Sequence, residues 1–258
     1  MIFLKNSQQL DMMRKSGALL HDVLQRLREA IKPGVSTAAL DVYAEQLIRK
    51  HKAIPSFLDY HGYPASLCVS INEEVVHGIP SETVLIKEGD VVSVDCGLVL
   101  DGWQADSAFT VAVGNVGPQK QKLIDVTEEC FFKGVRQACN FNQLGDVGHA
   151  IQTHAESNGF GVVRDLTGHG IGRNMHEDPS VPNWGQPGHG IKLRPGMTLA
   201  IEPMITLGDY HVNQLADGWT IVTSDGSVCA HYEHTIAVNE QGLPELLTYP
   251  GFVLMEET

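Results

Sequence analysis

The sequence predicts an α+β fold built from two halves that share the same order of elements. Each half begins with helices and continues with strands, and the second set of helices starts near Pro118. The segment from Gly89 to Asp95 has the same pattern as the segment from Gly196 to Glu202, each ending in an acid. The match could arise by chance, but an internal duplication explains the order of elements better. We therefore expect one domain over residues 1–258, with halves of roughly 1–115 and 116–258.

The first half opens with two predicted helices. Apolar residues recur at helical spacing over residues 7–31 and predict an amphipathic helix with Ser7 as its N-cap. A Pro-Gly pair ends this helix, and a second helix is predicted from Thr37 to about His51.

The strand region that follows contains a predicted hairpin. Asp101-Gly102 stands between two alternating apolar runs, which is a strong hairpin signal. With these two residues as the loop, Val94 lies opposite Phe109, and Asp106 lies diagonal to Asp95 on one face. The predicted strands of this half cover residues 66–71, 91–100 and 103–113.

The second half repeats the order of the first. One helix is predicted from Pro118 through Phe131, and a shorter helix from Gly145 to about Ser157. Strands follow to the end, including a strand-like run over residues 228–238 that contains Glu233.

Composition narrows the class of protein. The chain has 31 acidic and 18 basic side chains and a formal net charge of -13, which argues against binding nucleic acid over a wide face. No stretch of about 18 apolar residues is present, so we expect a soluble cytoplasmic protein without a membrane span. Five cysteines without a C-x-x-C pair suit reduced thiols in a cytosol.

The two aspartates of the predicted hairpin need compensation for their like charges. A proton, a basic partner or a metal ion could compensate Asp95 and Asp106, although a solvated outer face of the sheet would also tolerate them. The hairpin contains no lysine or arginine. Glu202 and Glu233 add carboxylates in further predicted strands, and four such groups favour a site for a hard cation.

A glycine-rich segment supplies candidate histidine ligands. The glycines of Gly168-His169-Gly170-Ile171-Gly172 indicate a loop with unusual backbone angles, which would bring His169 close to His176. A structural role for either histidine is the alternative. His176-Glu177 does not begin a helical zinc motif, because position 180 is serine.

These residues together resemble the type I methionine aminopeptidase family in its bacterial form. The resemblance covers nearly the whole chain, and the motifs that carry it are His61-Gly62-Tyr63-Pro64, Ser70-Ile71-Asn72-Glu73, His77-Gly78-Ile79-Pro80, Val94-Asp95, Asp106, Gly168-His169-Gly170-Ile171-Gly172, Glu202-Pro203 and Glu233-His234. The resemblance implies a pita-bread fold, in which two pseudo-symmetric halves form a central curved antiparallel sheet with helices on its outer face.

The resemblance also implies a dinuclear site for divalent cobalt, manganese, iron or zinc. Its implied ligands are Asp95, Asp106, His169, Glu202 and Glu233, with Asp106 and Glu233 bridging the two ions. Two cations would acidify a water that attacks the scissile amide. The implied catalytic residues are Glu202 as proton acceptor, His176 as stabiliser of the oxyanion and His77 as a contact to the amide.

A pocket for the methionine side chain is implied as well. The residues that map onto it are Tyr60, Tyr63, Cys68, His77, His176 and Trp219. Their aromatic and sulfur surfaces suit a thioether. The chain departs from the usual family pattern at Phe57 and Met175, which puts the shape of the pocket in question.

The resemblance therefore implies removal of N-terminal methionine from nascent proteins and peptides, with a small second residue preferred. We expect a monomer that meets nascent chains near the ribosome exit and binds no nucleic acid directly. One alternative is an Xaa-Pro peptidase or creatine amidinohydrolase relative, although these usually carry an extra N-terminal domain and this fold begins almost at residue 1. Another is a metal-free binding module of the same fold, which the complete ligand set argues against.

Overall fold

The computed structural model describes residues 1–255. The helices are α1 (Ser7–Ala30), α2 (Thr37–Lys50), α3 (Pro118–Gln137) and α4 (Leu144–Ser157), with a short 3-10 turn at Tyr60–Gly62. The strands are β1 (Ile54–Pro55), β2 (Leu67–Ile71), β3 (Glu74–Val76), β4 (Val91–Leu100), β5 (Trp103–Ala112), β6 (Gly161–Val162), β7 (Thr167–Gly170), β8 (Glu177–Pro182), β9 (Thr198–Ile201), β10 (Met204–Thr206), β11 (Val212–Gln214), β12 (Ile221–Thr223), β13 (Cys229–His231), β14 (Glu233–Ala237) and β15 (Glu245–Leu246).

The start of α1 differs from the prediction by one residue. Asn6 is the N-cap, and its side chain accepts a hydrogen bond from the backbone N–H of Gln9. The Gln9 side chain in turn accepts from the backbone N–H of Asn6. This reciprocal pair satisfies two donors at the helix end, so Ser7, the predicted cap, becomes the first helical residue.

The hairpin of β4 and β5 has the predicted register. Leu100 pairs with Trp103, and Val94 pairs with Phe109. Both loop residues have positive φ, 51° at Asp101 and 76° at Gly102, as a two-residue type I′ turn requires. The hairpin is therefore confirmed.

A nine-stranded sheet forms the centre of the described structure. Its order is β1-β4-β5-β14-β9-β7-β8, with β2 also on β4 and β15 also on β14, and these pairings are antiparallel. Strands β5 and β14 meet at its middle, where Glu233 lies opposite Ala108. The helices cover one face of this sheet in two separate apolar cores: α1 and α2 pack on β4 and β5, whereas α3 and α4 pack near β9 and β14.

The two segments that share a sequence pattern also make similar backbone hydrogen bonds. The N–H of Gly89 donates to the carbonyl of Val113 at 2.8 Å, and the N–H of Gly196 donates to the carbonyl of Val238 at 3.0 Å. Both glycines have positive φ, 89° and 84° respectively. Each segment then leads into a strand of the central sheet, and these strands lie on either side of the β5–β14 pair.

Two three-stranded sheets complete the fold, β13-β10-β6 and β11-β12-β3. The run predicted as one strand over residues 228–238 is broken at Tyr232, so that β13 pairs with β10 while β14 joins the central sheet. All five cysteines are free thiols. Within residues 1–255, no helix combines the length and the apolarity needed to cross a membrane.

Candidate active site

The face of the central sheet opposite the helices carries a cavity of about 150 Å³. Side chains alternate along a strand, so Asp95 points away from the apolar core that holds Val94 and Cys96. The cavity is lined by Phe57, Tyr60, His61, Tyr63, Cys68, His77, Asp95, Asp106, His169, His176, Glu202, Trp219 and Glu233. Every site residue predicted from the sequence therefore lies at this one cavity.

Three of the four carboxylates reach the cavity from neighbouring strands, and the fourth from the residue that follows the next strand of the sheet. Asp95 and Asp106 come from the β4–β5 hairpin, and Glu233 begins β14 directly across from Ala108. The sequence predicts Glu202 within a strand, but it lies immediately after β9. The reason is the next residue, Pro203, which has no N–H to continue a ladder of hydrogen bonds.

His169 lies on strand β7, which corrects the prediction of a loop. Its Nε2 atom is 3.7 Å from Asp106 Oδ2 and 3.7 Å from Glu202 Oε1. Its Nδ1 atom lies 2.9 Å from the carbonyl oxygen of Gly170, to which it donates. The lone pair of Nε2 therefore faces the carboxylates, which is the arrangement expected of a metal-binding histidine.

The glycines around His169 allow close approach of neighbouring strands and do not adopt unusual backbone angles. Gly168, Gly170 and Gly172 are absent from the residues with positive φ. A Cβ atom at Gly168 would lie 2.3 Å from the carbonyl oxygen of Ala200, and one at Gly170 would lie 2.2 Å from that of Asp178. The prediction of unusual backbone angles was therefore wrong. The glycines instead position His169 because their lack of a side chain lets the neighbouring strands approach.

Burial and neighbouring carboxylates disfavour the ionised forms of the four acids. Burial raises the pKa of Asp95 to about 7. Burial and then the charge of Asp95 raise the pKa of Asp106 and of Glu202, and burial and then Asp106 raise the pKa of Glu233. None of the residues that line the cavity is a lysine or an arginine.

The same residues fit a divalent cation. Ligand atoms of Asp106, His169 and Glu233 all lie within 4.8 Å of one another. Buried oxygens of Asp95, Asp106 and Glu233 have no hydrogen-bond partner. Oxygen and imidazole donors are typical ligands of divalent first-row metals, and such an ion would satisfy these orphaned atoms.

Two further histidines, His77 and His176, line the cavity beside the cluster. The rings of His169 and His176 are 4.2 Å apart between centroids, so the predicted proximity is confirmed. Burial, followed by His61, lowers the pKa of His176, and burial, followed by His176, lowers the pKa of His77. Each ring is therefore kept neutral near pH 7 and can donate one N–H.

An apolar and aromatic pocket adjoins the cluster. Tyr63 and Trp219 meet edge to face with 5.1 Å between ring centroids, and Cys68 is buried beside them. Phe57 lies against Gly97, where a Cβ atom would be 3.0 Å from its ring. Of the two departures from the family pattern, Phe57 thus lines the cavity, whereas the buried Met175 does not.

Two histidines near the cluster were not predicted as site residues. His61 lines the cavity, and its place in the motif His61-Gly62-Tyr63-Pro64 was the signal that could have found it. His231 is 1% exposed, and burial lowers its pKa to about 3. No local pattern marks His231, because its position depends on the pairing of β13 with β10.

Comparison with known proteins agrees with this geometry. The model of metallopeptidase family M24 matches residues 11–240. The chain belongs to metallopeptidase family M24. M24 membership makes it a hydrolase, and it confirms the pita-bread fold and the metal dependence expected from the carboxylates.

Relatives within M24 place the chain more narrowly. The chain is 54% identical over 248 residues to a methionine aminopeptidase of Clostridium acetobutylicum, covering 96% of this chain and 99% of the relative. It matches a crystal structure of methionine aminopeptidase from Thermotoga maritima with a TM-score of 0.94 and 46% identity, covering 96% of this chain and 99% of that one. The resemblance to type I methionine aminopeptidases is thereby confirmed. A Xaa-Pro dipeptidase of Bacillus anthracis shares the fold at a TM-score of 0.76 but only 22% identity, and this chain covers 63% of it.

Proposed function

We propose that this M24 hydrolase removes N-terminal methionine from nascent proteins and peptides and prefers a small second residue. The observation that carries the proposal is the single cavity that joins a carboxylate and histidine cluster to a pocket of aromatic and sulfur surfaces. The first feature suits hydrolysis, and the second suits a thioether side chain. The relatives named methionine aminopeptidase support the same assignment.

Two divalent ions are proposed for the cluster, drawn from cobalt, manganese, iron and zinc. Their proposed ligands are Asp95, Asp106, His169, Glu202 and Glu233, with Asp106 and Glu233 shared between the ions. When bound, such ions supply an acidified water and polarise a carbonyl group. Support for a shared role comes from Ala108 of β5, which pairs with Glu233 and so brings the Asp106 strand against it.

The side chains around the ions have separate tasks in this proposal. Glu202 accepts a proton from the attacking water. His176 donates a hydrogen bond to the oxyanion that forms after attack. His77 contacts the scissile amide and helps to place the leaving nitrogen, and both rings are neutral donors because of their burial.

The methionine side chain would occupy the apolar end of the cavity. The proposed pocket residues are Tyr60, Tyr63, Cys68, His77, His176 and Trp219. Phe57 lines the same cavity and contributes to its shape.

The setting of the enzyme is part of the proposal. We propose a monomeric cytoplasmic protein of one domain, residues 1–258, that meets nascent chains near the ribosome exit. A duplication at residues 1–115 and 116–258 is supported by the similar hydrogen bonds of Gly89 and Gly196.

Peptide hydrolysis before and after chelation tests the proposal. We expect cleavage of Met-Ala-Ser but not of Ala-Pro-Ser, loss of cleavage after chelation, and recovery with single metals. Preference for Ala-Pro-Ser would favour an Xaa-Pro peptidase. Failure to cleave either peptide with every metal would favour a binding module.

A further inference from the structure

His231 stands directly behind two of the proposed metal ligands. Its Nε2 atom is 3.9 Å from Glu202 Oε2 and 3.8 Å from Glu233 Oε2. This nitrogen is buried and has no hydrogen-bond partner. A buried, unpaired ring nitrogen that faces two carboxylates calls for a physical explanation.

The backbone of His231 is held firmly on both sides. Its N–H donates to the hydroxyl of Thr110 at 2.9 Å, and that hydroxyl donates to its carbonyl at 2.7 Å. On the other side, His231 pairs with Met204 of β10. The direction of the ring is therefore set by the fold.

The ring does not take part in the cavity itself. His231 is 1% exposed and is absent from the residues that line the cavity, whereas Glu202 and Glu233 line it. His231 therefore does not contact a substrate. It can act only through the carboxylates in front of it.

The two carboxylates decide which ring nitrogen carries hydrogen. A lone pair on Nε2 would be repelled by the oxygens of Glu202 and Glu233, whereas an N–H there would be attracted. The present distances exceed hydrogen-bond length, but a movement of about 1 Å by either carboxylate would bring it within reach.

We propose that His231 is a positioning residue, which donates a hydrogen bond from Nε2 to Glu202 or Glu233 and so orients these carboxylates for a divalent cation. This inference rests on the proposed metal site. Outer partners of this kind fix the orientation of metal ligands, and their loss typically lowers metal affinity by about 10-fold to 100-fold.

Manganese affinity, measured by isothermal titration calorimetry on the folded full chain, tests the inference with a matched pair of variants. His231→Leu replaces the ring by an apolar side chain of similar size and so removes the donor. We expect manganese binding about 10-fold to 100-fold weaker than wild type. His231→Gln keeps an N–H donor and should stay within about threefold of wild type. Urea unfolding of the metal-free variants shows whether each is folded, and His231→Asn, whose amide is too short to reach, replaces His231→Leu if that variant does not fold.

Two results would overturn the inference. Wild-type affinity in His231→Leu would show that the donor is not needed, and equal loss in both variants would show that only the shape of the ring matters. Failure of the wild-type protein itself to bind manganese would instead contradict the proposed function, so the two failures are distinguishable.

Discussion

The phenolic oxygen of Tyr60 lies 2.7 Å from Nδ1 of His176. This hydrogen bond joins the 3-10 turn at Tyr60–Gly62 to the segment between β7 and β8, and the two rings also stack with 5.4 Å between centroids. Because Nδ1 is engaged by Tyr60, the other ring nitrogen of His176 is available for the proposed hydrogen bond to the oxyanion. We therefore expect Tyr60 to orient His176, in addition to its proposed place in the methionine pocket.

Removal of the Tyr60 hydroxyl should slow the reaction without weakening substrate binding. A hydrogen bond of this kind contributes about 1.4 kcal/mol, so Tyr60→Phe should lower kcat about tenfold and change KM little. Steady-state kinetics on Met-Ala-Ser measures both constants. Tyr210→Phe, which lies outside the cavity, serves as the control and should match wild type. An unchanged kcat in Tyr60→Phe would contradict the orienting role.

Neutralising one carboxylate should have opposite effects with and without metal. Asp106→Asn removes a proposed shared ligand, so metal affinity should fall by more than about 100-fold, beyond the loss expected for an outer partner. It also removes repulsion from Asp95 and Glu202, so the metal-free variant should be more stable than metal-free wild type.

Thermal unfolding with and without manganese checks both effects of Asp106→Asn. Manganese at about 100 times its dissociation constant should stabilise wild type by about 2.7 kcal/mol and leave the variant unchanged. The exposed Asp22→Asn is the control and should respond to manganese as wild type does. An equal manganese response in Asp106→Asn would contradict the ligand assignment.

A buried ion pair connects the N-terminal segment to the segment that carries His176. Lys5 Nζ lies 2.6 Å from Glu177 Oε2, and both side chains are 5% exposed. The other carboxylate oxygen, Oε1, accepts the backbone N–H groups of Arg173 and Asn174. Lys5→Met should leave Glu177 buried without its cation and should therefore lower the free energy of unfolding by about 3 kcal/mol.

Urea unfolding measures the effect of Lys5→Met, and the exposed Lys32→Met is the matched control. Lys5→Met should also have a lower kcat than wild type, because Glu177 follows His176 directly in the chain. Stability and kcat both equal to those of Lys32→Met would show that the ion pair does not hold this segment.

Phe57 and Gly97 form a packing pair at the proposed methionine pocket. A Cβ atom at Gly97 would lie 3.0 Å from the Phe57 ring, 3.0 Å from Cβ of Ser56 and 3.3 Å from Oδ1 of Asp106, so Gly97→Ala should press the ring into the cavity and also crowd Asp106. Overpacking of this kind costs about 1–3 kcal/mol, and we expect KM for Met-Ala-Ser to rise about fivefold or more. Leucine is smaller than phenylalanine, so adding Phe57→Leu to Gly97→Ala should relieve the overpacking and lower KM again. Additive effects of the two substitutions would contradict direct contact.

The β4–β5 hairpin could be predicted because its signals are local. Asp101-Gly102 defines the turn, and the alternation of apolar residues on either side sets the register, so the face shared by Asp95 and Asp106 follows from the sequence. The N-cap of α1 was missed by one residue because Ser7 and Asn6 are both good caps, and only the reciprocal bonds with Gln9 decide between them.

The position of His231 could not be predicted from any local pattern. It faces Glu202 and Glu233 because the chain breaks at Tyr232, so that β14 joins the central sheet while β13 pairs with β10 in a separate sheet, a contact between segments distant in sequence. The glycines around His169 were misinterpreted for a similar reason. Their close neighbours, the carbonyl groups of Ala200 and Asp178, come from other strands.

The central claim is that this chain releases N-terminal methionine with the help of a divalent ion held by Asp106 and its neighbours. Mass spectrometry of Met-Ala-Ser tests it most directly, with metal-stripped wild type, manganese-restored wild type and manganese-treated Asp106→Asn compared at equal concentration. The account predicts that only the restored wild type produces free methionine and Ala-Ser. Full cleavage by the metal-stripped protein, or by Asp106→Asn, would contradict it.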